Sequence, residues 1–215
     1  MIKQVLSGSI ALLATAGVQA VTLVESRFDA GAEGWLALNG VVSQGWQPTG
    51  GNPGGYFEAS DVGGGQVWVF HAPAAYRGNQ LAALGGSLSF DLKVTTVAFP
   101  MANDWGDVKI GGGGLELVID AGPSPGLDWT PYSVTLAPGG WRLGNVAGPL
   151  ATAADFATVL ANVDFLRIRG EYSAVLDRGG LDNVVLATAV PEPATSLLWL
   201  SGLAVLSGAA RRRRR

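Results

Sequence analysis

Histidine occurs once in this chain, at His71, and cysteine does not occur. Those two counts remove cysteine nucleophiles, two-histidine metal sites, Cys-ligated zinc, iron–sulfur clusters and disulfide frameworks together, and leave any serine triad with His71 as its one possible base. His71 stands beside Ala72-Pro73 with no acid or nucleophile next to it, and it reads as structural. No G-x-S-x-G elbow is present. Gly111-Gly112-Gly113-Gly114 lacks the lysine and the following helix that make a glycine-rich loop a phosphate cradle; it joins two strand-like runs and reads as a hairpin. Sixteen carboxylates between residues 21 and 190 could furnish a glycosidase pair, yet no spacing singles out two of them.

The aromatic residues hold the more specific signal. Asn103-Asp104-Trp105-Gly106-Asp107 sets an indole among acceptor groups. Sugar sites use that pairing, a flat apolar face under the ring and oxygens around its hydroxyls. Trp105, Asn103, Asp104 and Asp107 are therefore candidate ligand-binding residues. The competing reading folds Trp105 back over a sheet. Trp46 and Trp129 also read as loop residues from their Gly, Pro, Asp and Thr neighbours, whereas Trp35, Trp68 and Trp141 lie in apolar context and read as core.

The elements that must position these residues show in the periodicity. In Ser87-Leu88-Ser89-Phe90-Asp91-Leu92-Lys93-Val94 every second residue is apolar, the signature of a strand with one face on a core. Residues 115–120 and 132–136 repeat the pattern. Shorter candidates are 21–28, 56–59, 66–70, 107–110, 165–169 and 181–187. Glycine, 32 of 215 residues, gathers between these runs and supplies the positive-φ turns that antiparallel strands need. One helix is expected over 153–162, where Thr152 and Asp155 form a capping-box pattern and Phe156, Val159, Leu160 and Val163 recur at helical spacing. Eight or nine strands and one helix predict an all-β sandwich. An apolar content of 48% argues against disorder, and the absence of a G-X-Y period excludes collagen. Residues 21–190 carry 16 acidic and eight basic side chains, a net charge of −8, so nucleic acid is not an expected partner.

The two ends read as addresses. Residues 1–20 have the Lys3 n-region, an apolar run and the small-x-small site Val18-Gln19-Ala20 of a secretory signal peptide. Residues 21–189 form the body, and 190–215 the tail. In the tail Pro191-Glu192-Pro193 precedes an uncharged stretch, 194–210, and five arginines, 211–215. The stretch is long enough for a short transmembrane helix through the inner membrane, with the arginines cytoplasmic and the body outside. The order of the three parts resembles the PEP-CTERM sorting signal of Gram-negative bacteria. That resemblance implies export, recognition and cleavage by an exosortase near Pro191, Glu192 and Pro193, and delivery to the cell surface or extracellular matrix.

The body also resembles a known family. Phe28-Asp29-x-Gly31-x-x-Gly34-Trp35, Gly51-Asn52-Pro53-Gly54-Gly55-Tyr56 and Trp68-Val69-Phe70-x-Ala72-Pro73 stand in the order of the laminin B (laminin IV type A) domain. Leu84 to Phe90, Asp107 to Gly112, Phe165 to Ser173 and Leu181 to Val184 continue it. The resemblance implies a jelly-roll, galactose-binding-like sandwich similar to carbohydrate-binding modules, without catalytic residues. In such sandwiches a structural calcium commonly sits where the first and last strands meet. Glu25, Asp29 and Asp182 are the candidate ligands for Ca2+, which takes six to eight oxygens. The alternative is that Asp182-Asn183 satisfies turn amides. Together these readings predict an exported, glycan-binding or adhesive module of an extracellular polysaccharide matrix. A purely structural matrix protein is the competing reading, and a glycan-active enzyme the weaker one.

Overall fold

The computed structural model describes residues 19–63, 67–102 and 104–190. Its strands are β1 (Thr22–Ser26), β2 (Leu36–Leu38), β3 (Ser43–Gln47), β4 (Tyr56–Ser60), β5 (Val69–His71), β6 (Ser87–Val94), β7 (Val108–Gly112), β8 (Leu115–Ile119), β9 (Thr130–Thr135), β10 (Arg142–Leu143), β11 (Val163–Arg169) and β12 (Arg178–Ala187). One helix, α1 (Ala153–Ala161), precedes β11. The strands make two six-stranded antiparallel sheets. Sheet A runs β3-β4-β12-β6-β9, with β1 also on β12; sheet B runs β10-β8-β7-β11-β5-β2. The compact unit extends from Ala20 to Ala189.

Period-two alternation decides which side chains meet between the sheets. Along β6, Leu88, Phe90, Leu92 and Val94 are buried while Ser87, Ser89, Asp91 and Lys93 face the other way. Their cross-strand partners Leu181 on β12 and Tyr132 and Val134 on β9 are buried with them. Sheet B answers with Phe70, Val108, Ile110, Leu117, Leu166 and Ile168. Trp35, Trp68 and Trp141 lie in this core at 0–1% exposure, as their apolar context predicts. Buried indoles need a partner for the N–H. Trp35 donates to Ser26 Oγ at 3.0 Å and Trp141 to the Thr135 carbonyl at 2.8 Å.

The helix forms where expected. Thr152 Oγ1 accepts from the Asp155 N–H and the Asp155 carboxylate accepts from the Thr152 N–H, completing the capping box. Phe156, Val159 and Leu160 then face the core. The Gly111–Gly114 run divides into two roles. Gly111 and Gly112 belong to β7, and Gly113 and Gly114, at φ of 57° and 77°, make the two-residue turn into β8.

Three strands depart from the expectation of eight or nine. Ser43–Gln47, Leu36–Leu38 and Arg142–Leu143 carry no apolar alternation long enough to read, and each exists because a neighbouring strand offers its edge. Trp46, expected in a loop, is thus a β3 residue whose indole N–H donates to the Phe28 carbonyl at 2.7 Å. The expected transmembrane helix at 194–210 and most of the signal peptide lie outside the described residues. Among the described residues no helix is long and apolar enough to cross a membrane.

Candidate functional site

The polar half of the alternation builds the outer face of sheet A. One row across it places Asp182, Asp91 and Pro131 side by side; the next places Val185, Ser89 and Ser133. Over the β6–β9 side of this face lies an open cleft of about 480 Å³, lined by Arg27, Ser89, Asp91, Pro131, Ser133 and Asn183 among others. Its floor is apolar at Pro131 and Val185, and its rim offers hydroxyl, amide, carboxylate and guanidinium groups. Such a mixture suits a polyhydroxylated ring, whose faces are apolar and whose edge donates and accepts.

The glycine-rich loop between β3 and β4 is tied to the cleft residue Asp91 through the Asn52 side chain. Gly50 O accepts from Lys93 Nζ at 2.8 Å and from Trp129 Nε1 at 3.1 Å. The Lys93 ammonium stands over both the Tyr56 ring, at 3.9 Å, and the Trp129 ring, at 4.4 Å. Burial holds the Lys93 ammonium below the ordinary lysine range. Burial first, then the hydrogen bond to Glu58, pushes the Tyr56 phenol up to about 12, so it stays a donor, to Glu58 Oε2 at 2.8 Å. Only glycine fits at 51: a Cβ there would stand 2.1 Å from the Gly55 carbonyl and 2.8 Å from Asp182 Oδ2.

Asp182 is fully buried and acts as the latch for that loop. Its two oxygens accept from the Asn52 N–H at 2.6 Å and the Asn183 N–H at 2.7 Å. Asn52 and Asn183 both donate their side-chain amides to Asp91 Oδ2, and Asn183 also donates to the Asn52 carbonyl. Asn183 takes φ 49° here, a left-handed conformation that asparagine tolerates, and β12 breaks its register at this point. The first and last strands do pair, Glu25 opposite Val185. Glu25, however, is exposed and bound to Arg27 at 3.1 Å. Asp29 is exposed beside Gly54. Among the described residues no group of three His, Cys, Asp or Glu side chains could hold a metal ion. Glu25 is thus engaged elsewhere, whereas Asp29 and Asp182 face the same Gly51–Gly54 loop, and the Asp29 charge helps to raise the Asp182 carboxyl after burial and Asp91; both Asp182 oxygens accept turn amides.

The loop before β7 divides its candidate residues. Asp107 is buried; its oxygens accept from the Ala121 N–H at 2.7 Å and the Tyr172 hydroxyl at 3.1 Å, which ties sheet B to the 170s loop. Trp105 is half-buried under the Lys109 ammonium, 4.6 Å from its ring centroid, on the outer face of sheet B. Asp104 is exposed, and Asn103 lies outside the described residues. Trp105 and the sheet A cleft thus lie on opposite sheets. The cleft residues Ser89, Asp91 and Ser133 were visible in the sequence only as the polar half of two strands, a position that usually means water.

A second cluster of carboxylates lies where β4 and β11 end and β12 begins. Asp61, Glu171 and Asp177 are each at most 4% exposed. Asp61 accepts from the Asp177 N–H at 2.9 Å, Asp177 from the Tyr172 N–H at 2.9 Å and Glu171 from the Trp68 N–H at 3.3 Å. Glu171 Oε1 and Asp177 Oδ1 are buried with no hydrogen-bond partner. Desolvation, reinforced by the neighbouring carboxylates, pushes Glu171 up to about 7 and also raises Asp177. Raised carboxyl pKa values are what a glycosidase acid needs. This cluster is enclosed, so no substrate reaches it, and its role is to bind loop amides.

Two packed antiparallel sheets with one short helix place the chain among the carbohydrate-binding-module-like sandwiches. The family 11 carbohydrate-binding module of a cellulosomal cellulase of Clostridium thermocellum aligns with a TM-score of 0.52 at 18% identity, covering 82% of this chain and 99% of that one. The L4b domain of human laminin alpha-2 aligns with a TM-score of 0.53 at 16% identity, covering 71% and 84%. Residues 69–200 match the Laminin B (Domain IV) family, and the chain belongs to it. Residues 189–215 match the PEP-CTERM protein-sorting motif. Laminin subunit gamma-1 of Danio rerio is 29% identical over 188 residues, and laminin subunit alpha-1 of Mus musculus 37% over 136. The matches cover 82% and 59% of this chain but only 11% and 4% of those laminins.

Proposed function

We propose that this chain is an exported, surface-sorted and non-catalytic module that holds a carbohydrate chain in the sheet A cleft, in the manner of a jelly-roll, galactose-binding-like lectin domain. The observation that carries this reading is the cleft itself: an apolar floor at Pro131 and Val185 ringed by Arg27, Ser89, Asp91, Ser133 and Asn183. The likeness to carbohydrate-binding modules supports it. One such structure is that of the Clostridium thermocellum family 11 module with a β-1,3-1,4-mixed-linked tetrasaccharide, which aligns at a TM-score of 0.50. The sorting motif supports export, passage through the inner membrane by residues 194–210, and cleavage by an exosortase beside Glu192.

Titration of the full chain with mixed-linkage glucan and a glycan array tests the reading. Ser133→Phe fills the cleft from an exposed strand position and is expected to abolish binding while leaving the melting temperature unchanged. If Trp105→Ala abolishes binding and Ser133→Phe does not, the ligand sits on the loop before β7. If no glycan binds, the chain is a structural matrix protein and the lectin reading is lost.

A further inference from the structure

Phe99 is 68% exposed, whereas every other aromatic ring among the described residues is buried or half-buried. Its backbone stands at φ 52°, in the left-handed region that a bulky side chain rarely enters. The 170s loop holds it there. The Ala174 N–H donates to the Phe99 carbonyl at 2.9 Å, the Met101 N–H to the Tyr172 carbonyl at 3.1 Å and Ser173 Oγ to the Ala98 carbonyl at 2.6 Å. The buried carboxylates hold the 170s loop in turn: Asp177 accepts from the Tyr172 N–H, and Asp61 from the N–H groups of Asp177 and Gly63. Three loops thus meet at the pole of the sandwich where β4 ends and β12 begins. Their tips carry no charged side chain between residues 95 and 102 or between 172 and 176. Val62, Val97, Val175 and Leu176 are exposed on the same tips. A cleft of about 280 Å³ opens beside Phe99, lined by Val94, Val97, Pro100, Pro125 and Tyr172 among others and by no charged residue.

We propose that this pole is a self-association surface, on which Phe99 of each copy seats in the cleft of a second copy. Phe99 does not line its own cleft, although Val97 and Pro100 on either side of it do. Knob and hole therefore lie side by side on one surface. A two-fold interface requires that arrangement, because each copy must offer the same patch and the patch must complement itself. The strained φ of Phe99, fixed by the loop bonds, presents the ring ready-made, so little ordering is left for association to bear. Charge selects the occupant. A body of net charge −8 between residues 21 and 190 repels its own copies over most of its surface. The uncharged pole is where two such bodies approach at least cost, and Arg178 at the start of β12 is already paired with Glu58 at 3.4 Å. The exposed apolar tips of two copies together bury on the order of 1,000 Å², the size at which a specific interface begins. Both chain ends leave the body at the opposite pole, where Thr22 pairs with Ala187. That pole is about 30 Å away along the ten residues of β12, so the ends do not obstruct the pairing. This surface does not depend on the sheet A cleft.

The absence of cysteine makes thiol cross-linking specific, since only an introduced thiol reacts. Val97→Cys places one between knob and hole, and Val21→Cys places one at the opposite pole at equal exposure, 61% against 62%. The full chain of each variant is treated with a short bismaleimide and covalent dimer is read on denaturing gels over a range of protein concentration. Val97→Cys is expected to link at least about tenfold faster than Val21→Cys, because pairing raises the local thiol concentration. Association through the apolar stretch at 194–210 would favour Val21→Cys instead and would overturn the proposal, as would equal rates. Adding Phe99→Ser, which removes the knob, or Ser124→Trp, which fills the hole, should bring Val97→Cys down to the Val21→Cys rate. Both positions are exposed, and melting temperatures confirm the fold. Retention of the fast rate in the two variants would overturn the knob-and-hole pairing. If Val97→Cys links slowly and phosphatidylcholine vesicles shield its thiol from a maleimide-polyethylene glycol, the pole docks on lipid and the self-association is overturned.

Discussion

At the scale of single residues, the chain places charge where water cannot reach it. Glu171 has the clearest consequence. Its carboxyl is pushed from the free-glutamate value of 4.5 to about 7 by burial against Asp61 and Asp177. The folded state therefore holds this proton more tightly than the unfolded chain does. The resulting stabilisation is complete below about pH 4.5 and is lost as pH rises through about 7, on the order of 3 kcal/mol for a shift of this size. Asp107, Asp177 and Asp182 are raised as well and act with the same sign. Thermal melts from pH 4.5 to 8 are expected to show falling stability, most of it above pH 6. Glu171→Gln should flatten that slope and raise the melting temperature at pH 8, on the order of several degrees for a domain of this length. A wild-type profile that rises over the same range would show that Glu171 is ionised in the fold.

At the scale of elements, the joint between α1 and the β7–β8 hairpin leaves no room for a side chain. A Cβ on Gly112 would stand 2.6 Å from the Val159 carbonyl and 2.4 Å from the Asn162 carbonyl, both backbone atoms at the end of α1. Backbone cannot swing aside as a side chain can. Gly112→Ala is expected to cost roughly 1–3 kcal/mol, as overpacking of a core does. At the other end of the helix, Thr152→Ala breaks the capping box and should cost about 1 kcal/mol. Urea melts of the two variants check the order. A smaller loss for Gly112→Ala than for Thr152→Ala would mean that the helix shifts away from the sheet at little expense. By contrast Gly114, with open space around its Cβ position, is held to glycine only by its φ of 77°.

At the scale of the whole molecule, a PEP-CTERM sorting motif follows one sandwich. Proline lacks a backbone donor and has a fixed φ, so the sequence Pro191-Glu192-Pro193 disfavours a continuous strand or helix. A protease acting at the membrane surface needs such an extended, unpaired substrate. In the native host the mature protein is expected to end near Glu192 and to lack Arg211–Arg215, as read by intact-mass spectrometry of surface extracts. Glu192→Ala should leave the full-length chain in the inner-membrane fraction. Recovery of intact arginines from wild-type surface material would rule out processing at this motif. Release would leave the sandwich free of the membrane, with the sheet A cleft on one outer face.

The sequence alone determined the strands with long alternation, the capped helix and the three core tryptophans, because each depends on a local pattern whose period matches its own geometry. β6 and α1 are legible for that reason, and the C-terminal sorting motif is legible because such signals are linear. The cleft and the cross-strand rows were decided by tertiary structure. Ser89, Ser133 and Asn183 are unremarkable along the chain and converge only because β12 and β9 flank β6 in sheet A. Asp107 and Trp105 are two residues apart, yet one is sealed under Tyr172 and the other lies on the outside of sheet B. His71, Arg167 and Arg142 span seventy residues and more of sequence and share one row because cross-strand register, a long-range property, put them there. Local spacing reports which face of a strand a residue occupies. Which residues of other strands share that face depends on the pairing order, and no local pattern encodes it.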